Sequence, residues 1–399
     1  MNAPTSRAMT ADRAYDPLSE QSHLDPYPTY SWLREHAPVY YCAARDVWVL
    51  SRYEDVRAAL RDWNTFTSTG GVELADYVGF FGAGNCLEMD PPRHDVLRKV
   101  FTTRFSTKAI KTYESMVRAT TVELLDGIEG ASEVDLASVL TNRLPVLTIC
   151  RLLGLPEADM PWAVEASIDM MTRPPDEVGP SAAAQRLRAQ LVELFLREVD
   201  TRLSGVWSDD VLSDMAHAIQ DGTMNRDEVQ GATLLLIAAG METTSSLMGN
   251  IVSAVASGQV DPQALLDDAG DLRPPAIDEF LRYDSPVQWL CRVATADAEV
   301  RGVRIPAGAR VLMLYASANR DPEVFTHPDV INLDRDGSRN LSFGEGIHFC
   351  LGMPLAKLET RIGLGELFAR YPRIIATDEP RRYPSHIIRG FDSIPVRVA

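Results

Sequence analysis

The chain contains no run of 18 apolar residues, so nothing in it is expected to cross a membrane as a helix. Its start, Met1-Asn2-Ala3-Pro4-Thr5-Ser6-Arg7, is polar and lacks the apolar centre of a secretion signal, which points to the cytoplasm. Cysteine is sparse. The five residues Cys42, Cys86, Cys150, Cys291 and Cys350 are odd in number and show no metal-like spacing, which argues against a disulfide framework and suits a reducing compartment. Positive charge is in deficit, and a net charge of -17 argues against nucleic acid as a partner. No Gly-x-Gly-x-x-Gly follows a strand-like run, so any flavin or nicotinamide must be carried by another chain. Internal repeats and low-complexity linkers are absent as well. One domain is expected over residues 1–399, with residues 1–15 as a flexible tail and the monomer as the working unit.

What is present is enough apolar material, 45% of 399 residues, to bury a large core. Helical periodicity dominates from Thr107 to Tyr283, while strand-like runs such as Val47-Trp48-Val49-Leu50 and Val311-Leu312-Met313-Leu314 cluster near the N-terminus and around residues 290 to 315. This predicts a mainly α fold with a small β-rich lobe.

The most informative stretch is Phe343-Gly344-Glu345-Gly346-Ile347-His348-Phe349-Cys350-Leu351-Gly352. A cysteine that ligates iron must be a thiolate, and backbone amides at a turn entering a helix favour that anion. Met353 to Glu359 carries apolar residues at helical spacing, which places Cys350 near a helix start. Gly344, Gly346 and Gly352 are expected to take positive φ and let the backbone pass close to a flat ligand. A lone cytosolic cysteine is more often a packing thiol; the residues around this one favour a ligand.

Two further segments stand out. Asn225-Arg226-Asp227-Glu228 reads as a capped helix start, and the helix should run to about Val255, yet Gly240, Glu242, Thr243 and Thr244 interrupt its apolar course. Such a local breach of helix rules marks either a kink or a site. Glu279-Phe280-Leu281-Arg282 puts a carboxylate and a guanidinium one turn apart, which alone would be an ordinary solvated pair.

In this order the motifs resemble the cytochrome P-450 superfamily: Phe-x-x-Gly-x-His/Arg-x-Cys-x-Gly at Phe343–Gly352, Ala/Gly-Gly-x-Asp/Glu-Thr-Thr at Ala239–Thr244, and Glu-x-x-Arg at Glu279–Arg282. The resemblance implies a helical body around a buried haem b, with Cys350 as the iron's axial ligand and a long central helix bulged at Ala239–Thr244 to admit dioxygen. It implies Thr243 and Glu242 as the catalytic pair, the first facing dioxygen and the second relaying protons. Glu279, Arg282 and Arg335 would form a structural cluster behind the thiolate loop. His94, Arg98, Arg292 and His348 would hold the haem propionates, with Phe343, Gly344, Ala239, Gly240 and Gly352 against the ring.

The implied activity is monooxygenation of a small, mainly hydrophobic substrate, with a peroxide-driven relative or a non-oxidising haem sensor as alternatives. Electrons would come from NAD(P)H through a ferredoxin reductase and a ferredoxin, the latter docking near Arg98, Lys99, Arg104, Lys108, Lys111, Arg339 and Lys357. The implied pocket residues are Leu74, Val78, Phe80, Phe81, Leu236, Ala239, Val287, Trp289, Leu290, Ile387 and Ile388. Between Thr65 and Glu88 there is no Lys or Arg, whereas Glu73, Asp76 and Glu88 are present, which favours a neutral or amine-bearing substrate over a carboxylate.

Overall fold

The computed structural model describes residues 15–74, 84–171 and 181–399. Its organising element is a 31-residue helix, Arg226–Ala256. The chain starts it with a full capping box: the Asn225 side chain accepts from the Glu228 N–H, and the Glu228 carboxylate accepts from the Asn225 N–H. Beyond Thr244 the helix is covered on almost every side, as its nearly continuous run of apolar and small residues requires. It packs on the helices Arg143–Leu153 and Ala182–Leu203 and on Met353–Arg370, the helix that follows Cys350. Pro354 sits in the first turn of Met353–Arg370, where its missing N–H breaks no bond.

The β-rich lobe is a five-stranded sheet in the spatial order Val39–Cys42, Val47–Leu50, Arg310–Met313, Leu290–Ala294 and Phe66–Thr67. Val47–Leu50 and Arg310–Met313 run parallel and the other pairs antiparallel. Apolar clusters cover both faces; one holds Leu50, Val56 and Met313, the other Val47, Val49 and Trp289. Tyr15 is buried in the second cluster against Tyr30, so the expected tail does not reach residue 15; residues 1–14 lie outside the described residues.

Within the segment read as helical, Glu133–Asp135 forms a strand instead, pairing with Pro395–Val398, which also pairs with Ile374–Ala376. A hairpin of Arg381–Arg382 and Phe391–Ser393 carries residues 385–389 inward. The expected bulge in the central helix is not seen: Arg226–Ala256 is α-helical throughout, and the Thr243 hydroxyl satisfies itself by donating to the Ala239 carbonyl at 2.7 Å.

Glu279, Arg282 and Arg335 meet. Arg282 donates twice to the Glu279 carboxylate at 2.8 Å, and Arg335 Nε lies 3.0 Å from the same group. Glu279 and Arg282 are each 1% exposed, so this is a buried triad and not a solvated pair. The guanidinium groups also donate to the carbonyls of Asn319, Thr326, His327 and Pro328, which ties this loop to the helix Pro274–Tyr283.

Candidate active site

The Cys350 loop is closed by two backbone bonds, from Cys350 N to Phe343 O at 2.9 Å and from Gly344 N to Leu341 O at 2.8 Å. Gly344 and Gly346 take φ of 70° and 74°. A Cβ on Gly346 would lie 2.8 Å from the Leu60 carbonyl oxygen, so both conformation and contact require glycine there. Gly352 departs from expectation: its φ is -80°, an ordinary value for the residue that caps the helix from Met353.

The Cys350 sulfur opens on a cavity of about 290 Å³. Burial, the largest influence, raises the thiol pKa, while the Gly352 and Met353 amides and the Arg98 charge pull the other way. A metal bound at the sulfur would favour the thiolate.

Beside the loop lies a cluster of two arginines and two histidines, in which neither arginine has a carboxylate partner among the described residues. Arg292 is 3% exposed, and among the described residues its side chain makes one hydrogen bond, to its own strand at the Cys291 carbonyl. Arg98 donates to the Phe349 carbonyl and forms no ion pair among the described residues. His94 is 1% exposed; its Nδ1 meets Asp95 at 2.8 Å, while its buried Nε2 has no hydrogen-bond partner among the described residues. The His348 ring stands edge-on to His94 at 4.7 Å, and its Nε2 reaches the Ser68 hydroxyl at 3.0 Å. Burial, followed by the charges of Arg292, His94 and Arg98, lowers the His348 pKa to about 2. A buried guanidinium without a carboxylate partner calls for an anion, and the carboxylates of a haem fit that need.

Arg98, Arg292, His348, Phe343, Gly344 and Gly352 line the cavity; His94 stands behind His348 and does not. Glu242, Thr243, Ala239 and Gly240 of the central helix line it too. Leu236, Val287, Leu290, Ile387 and Ile388 complete the apolar wall as expected, the last two held inward by a bridge between Val287 and Ile388.

Two pocket expectations fail. Trp289 is 1% exposed and packs into the cluster on the far side of the sheet, with Leu74 against the same cluster. Strand alternation explains Trp289: Leu290 and Arg292 face the cavity, so Cys291 and the residues in phase with it face away. Val78, Phe80 and Phe81 lie outside the described residues.

Sequence reasoning also missed lining residues. Leu97 and Phe101 follow His94 at helical spacing on Arg93–Thr102, a periodicity that could have shown them. Cys86, read as a packing thiol, is another. Glu359 is the most consequential: it lies nine residues after Cys350, is 1% exposed and also lines the cavity. Burial raises its carboxyl pKa well above the usual range, with the nearby Thr148 pulling the other way.

A helical body, a cysteine loop at a helix start and a cationic cradle beside it define a haem-thiolate protein, and the comparisons give the family. A family model for cytochrome P450 matches residues 274–388. "Cytochrome P450 109" of Bacillus spizizenii is 33% identical over 389 residues, covering 95% of this chain and 93% of that one. The "6-deoxyerythronolide B hydroxylase" of Saccharopolyspora erythraea is 33% identical, covering 95% and 98%. The crystal structure of CYP109E1 from Bacillus megaterium with testosterone superimposes with a TM-score of 0.83 at 30% identity, covering 95% and 99%. The chain belongs to the cytochrome P450 family and is a monooxygenase of that family. No helix among the described residues is long and apolar enough to cross a membrane.

Proposed function

We propose that this monooxygenase oxidises a small, mainly apolar, neutral or amine-bearing substrate with electrons delivered by a ferredoxin and its NAD(P)H-dependent reductase. One observation carries the reading: Cys350 and the pair Glu242 and Thr243 open on a single, largely apolar cavity. A haem b held by Cys350 would supply the redox chemistry that splits dioxygen and places one oxygen atom on the substrate.

The chain's own residues do the rest. Arg98, Arg292 and His348 line the cavity where they would hold the propionates and so set the ring's rotation, with His94 packed behind the His348 ring. Thr243 presents a hydroxyl whose proton is given to Ala239, leaving its oxygen to accept a hydrogen bond from the cavity side. Glu242 supplies the proton that the reduction of oxygen consumes, as a general acid on the cavity wall. Leu236, Val287, Leu290, Ile387 and Ile388 orient the substrate and exclude water.

The relative crystallised with testosterone makes neutral steroids the first compounds to test. The expected result is a shift of the Soret band from low to high spin with neutral polycyclic compounds and none with benzoate-type acids. The reverse pattern would overturn the substrate class.

The docking surface narrows. Arg104 is engaged by Asp209 and Asp214, Lys357 by Asp278, and Arg339 approaches Glu54, so these three are already neutralised. Lys99, Lys108 and Lys111 are exposed and form no ion pair among the described residues, which leaves them as the attractive points for an acidic ferredoxin.

A further inference from the structure

Ser385, Ile387 and Ile388 line the cavity from the C-terminal hairpin, and the same segment of chain is gripped by a short helix from the start of the protein. That helix, Glu20–Leu24, has five residues, none of them buried. Five residues are too few to stay helical alone in water, and no apolar burial compensates, so polar contacts must hold the helix in place. Its start is capped by Ser19, whose hydroxyl accepts from the Ser22 N–H at 3.2 Å. Its end is capped by the hairpin. Arg389 Nη1 donates to the His23 carbonyl at 3.0 Å and to the Leu24 carbonyl at 3.2 Å, two groups that a helix C-terminus leaves unsatisfied.

The grip runs both ways. His23 Nδ1 lies 3.1 Å from the Ser385 carbonyl oxygen, which can only accept, so this ring nitrogen carries a proton. The His23 ring also stands edge-on to His386 at 5.9 Å. Further along, the hairpin is bound to the body of the protein. The Gln288 N–H donates to the Ile387 carbonyl and the Arg389 N–H to the Pro286 carbonyl, both at 2.7 Å, and Asn250 of the central helix donates to the Arg389 carbonyl at 3.1 Å. The Ser385 backbone differs: among the described residues it bonds only to Tyr383, within the hairpin, and to His23.

The short helix is itself a strap between two fixed points. Before it, Asp16 pairs with Arg45 at 2.9 Å; after it, the Tyr27 hydroxyl donates to Asp284 at 2.6 Å. Arg389, 9% exposed, donates through Nε to the same Asp284 carboxylate at 2.9 Å. One guanidinium therefore joins the strap, the hairpin and the segment that leads to Val287.

We propose that His23 and Arg389 are positioning residues that latch this strap onto the hairpin, hold residues 385–388 against the cavity and so set how bulky a ligand reaches the iron. The inference rests on the reading of the cavity as the substrate pocket of a haem held by Cys350.

Imidazole and clotrimazole both ligate a ferric haem iron and shift its Soret band whatever the natural substrate is, and they differ greatly in bulk. With the haem-loaded full chain in stopped flow, His23→Ala and Arg389→Lys should speed clotrimazole binding about three- to tenfold, the equivalent of one net hydrogen bond, while imidazole binding stays within about twofold. His23→Asn offers an amide N–H in place of Nδ1 and should return the parent rate, a rescue that general loosening of the fold would not give. A His23→Asn protein as fast as His23→Ala would refute the role of the Ser385 bond. Ile388→Ala trims the wall directly and tests the underlying reading. If it changes clotrimazole binding while His23→Ala and Arg389→Lys do not, the latch is overturned and the pocket stands. If Ile388→Ala leaves both azoles unchanged, the hairpin is not a wall of the pocket, and the inference falls with that reading.

Discussion

Single side chains decide the chemistry here, and they differ in how openly the sequence shows them. Cys350 is legible because its demands are written locally, in glycines at fixed offsets and a helix start. Cys350→Ala should abolish the thiolate-type band of the ferrous carbonyl complex, and a protein that retained the band would refute the ligand assignment. Glu359 was not legible: a glutamate on an apolar helix looks like the edge of a solvated face, and only the fold shows it sealed at 1% exposure. Because its folded-state pKa is raised, the folded protein binds a proton that the unfolded chain releases. Its contribution to stability is full below the ordinary glutamate pKa and is lost as pH rises toward the folded value. Glu359→Gln should therefore raise the melting temperature relative to the parent at neutral pH, with the gain shrinking toward pH 4.5, a trend that paired thermal melts across pH would test. A gain independent of pH would show that the carboxyl is not protonated in the fold.

At the scale of elements, the central helix was readable to within a residue because its capping box and apolar course are both local signals. The strand Glu133–Asp135 was not, since its partner Pro395–Val398 is some 260 residues away and no window of sequence contains both. Trp289 failed for a related reason: an aromatic next to pocket residues in sequence is on the opposite face in a strand, and the phase is set only by pairing with Arg310–Met313. The Glu-x-x-Arg pair was visible as a motif while its burial was not. Glu279→Ala should cost about 3–5 kcal/mol in chemical denaturation, because it leaves Arg282 and Arg335 buried without a counter-charge. A loss below about 1 kcal/mol, typical of a surface pair, would contradict that account.

For the molecule as a whole, net charge and local charge point in opposite directions. A chain of net charge -17 repels an acidic partner at long range, yet it has only four lysines, and Lys99, Lys108 and Lys111 fall within 13 residues of one another. Lys99→Glu with Lys108→Glu should slow reduction by ferredoxin about tenfold at low ionic strength, and the difference should vanish as salt shortens the Debye length to a few ångströms. Stopped-flow reduction across a salt series would measure both effects. An unchanged rate at low salt would place the docking site elsewhere.

The parallel pairing of Val47–Leu50 with Arg310–Met313 also has a temporal side. The two strands are separated by nearly the whole helical body, so on a ribosome the first must wait, unpaired on that edge, until more than three quarters of the chain has emerged. Loop closure over such a distance is slow, whereas a helix such as Arg226–Ala256 forms from neighbours. That pairing therefore sets after the central helix, and pulsed hydrogen exchange during refolding should find the amides of Val47–Leu50 protected after those of Arg226–Ala256. A nascent chain spends most of its synthesis with that edge open, which makes the β lobe the segment with most need of a chaperone.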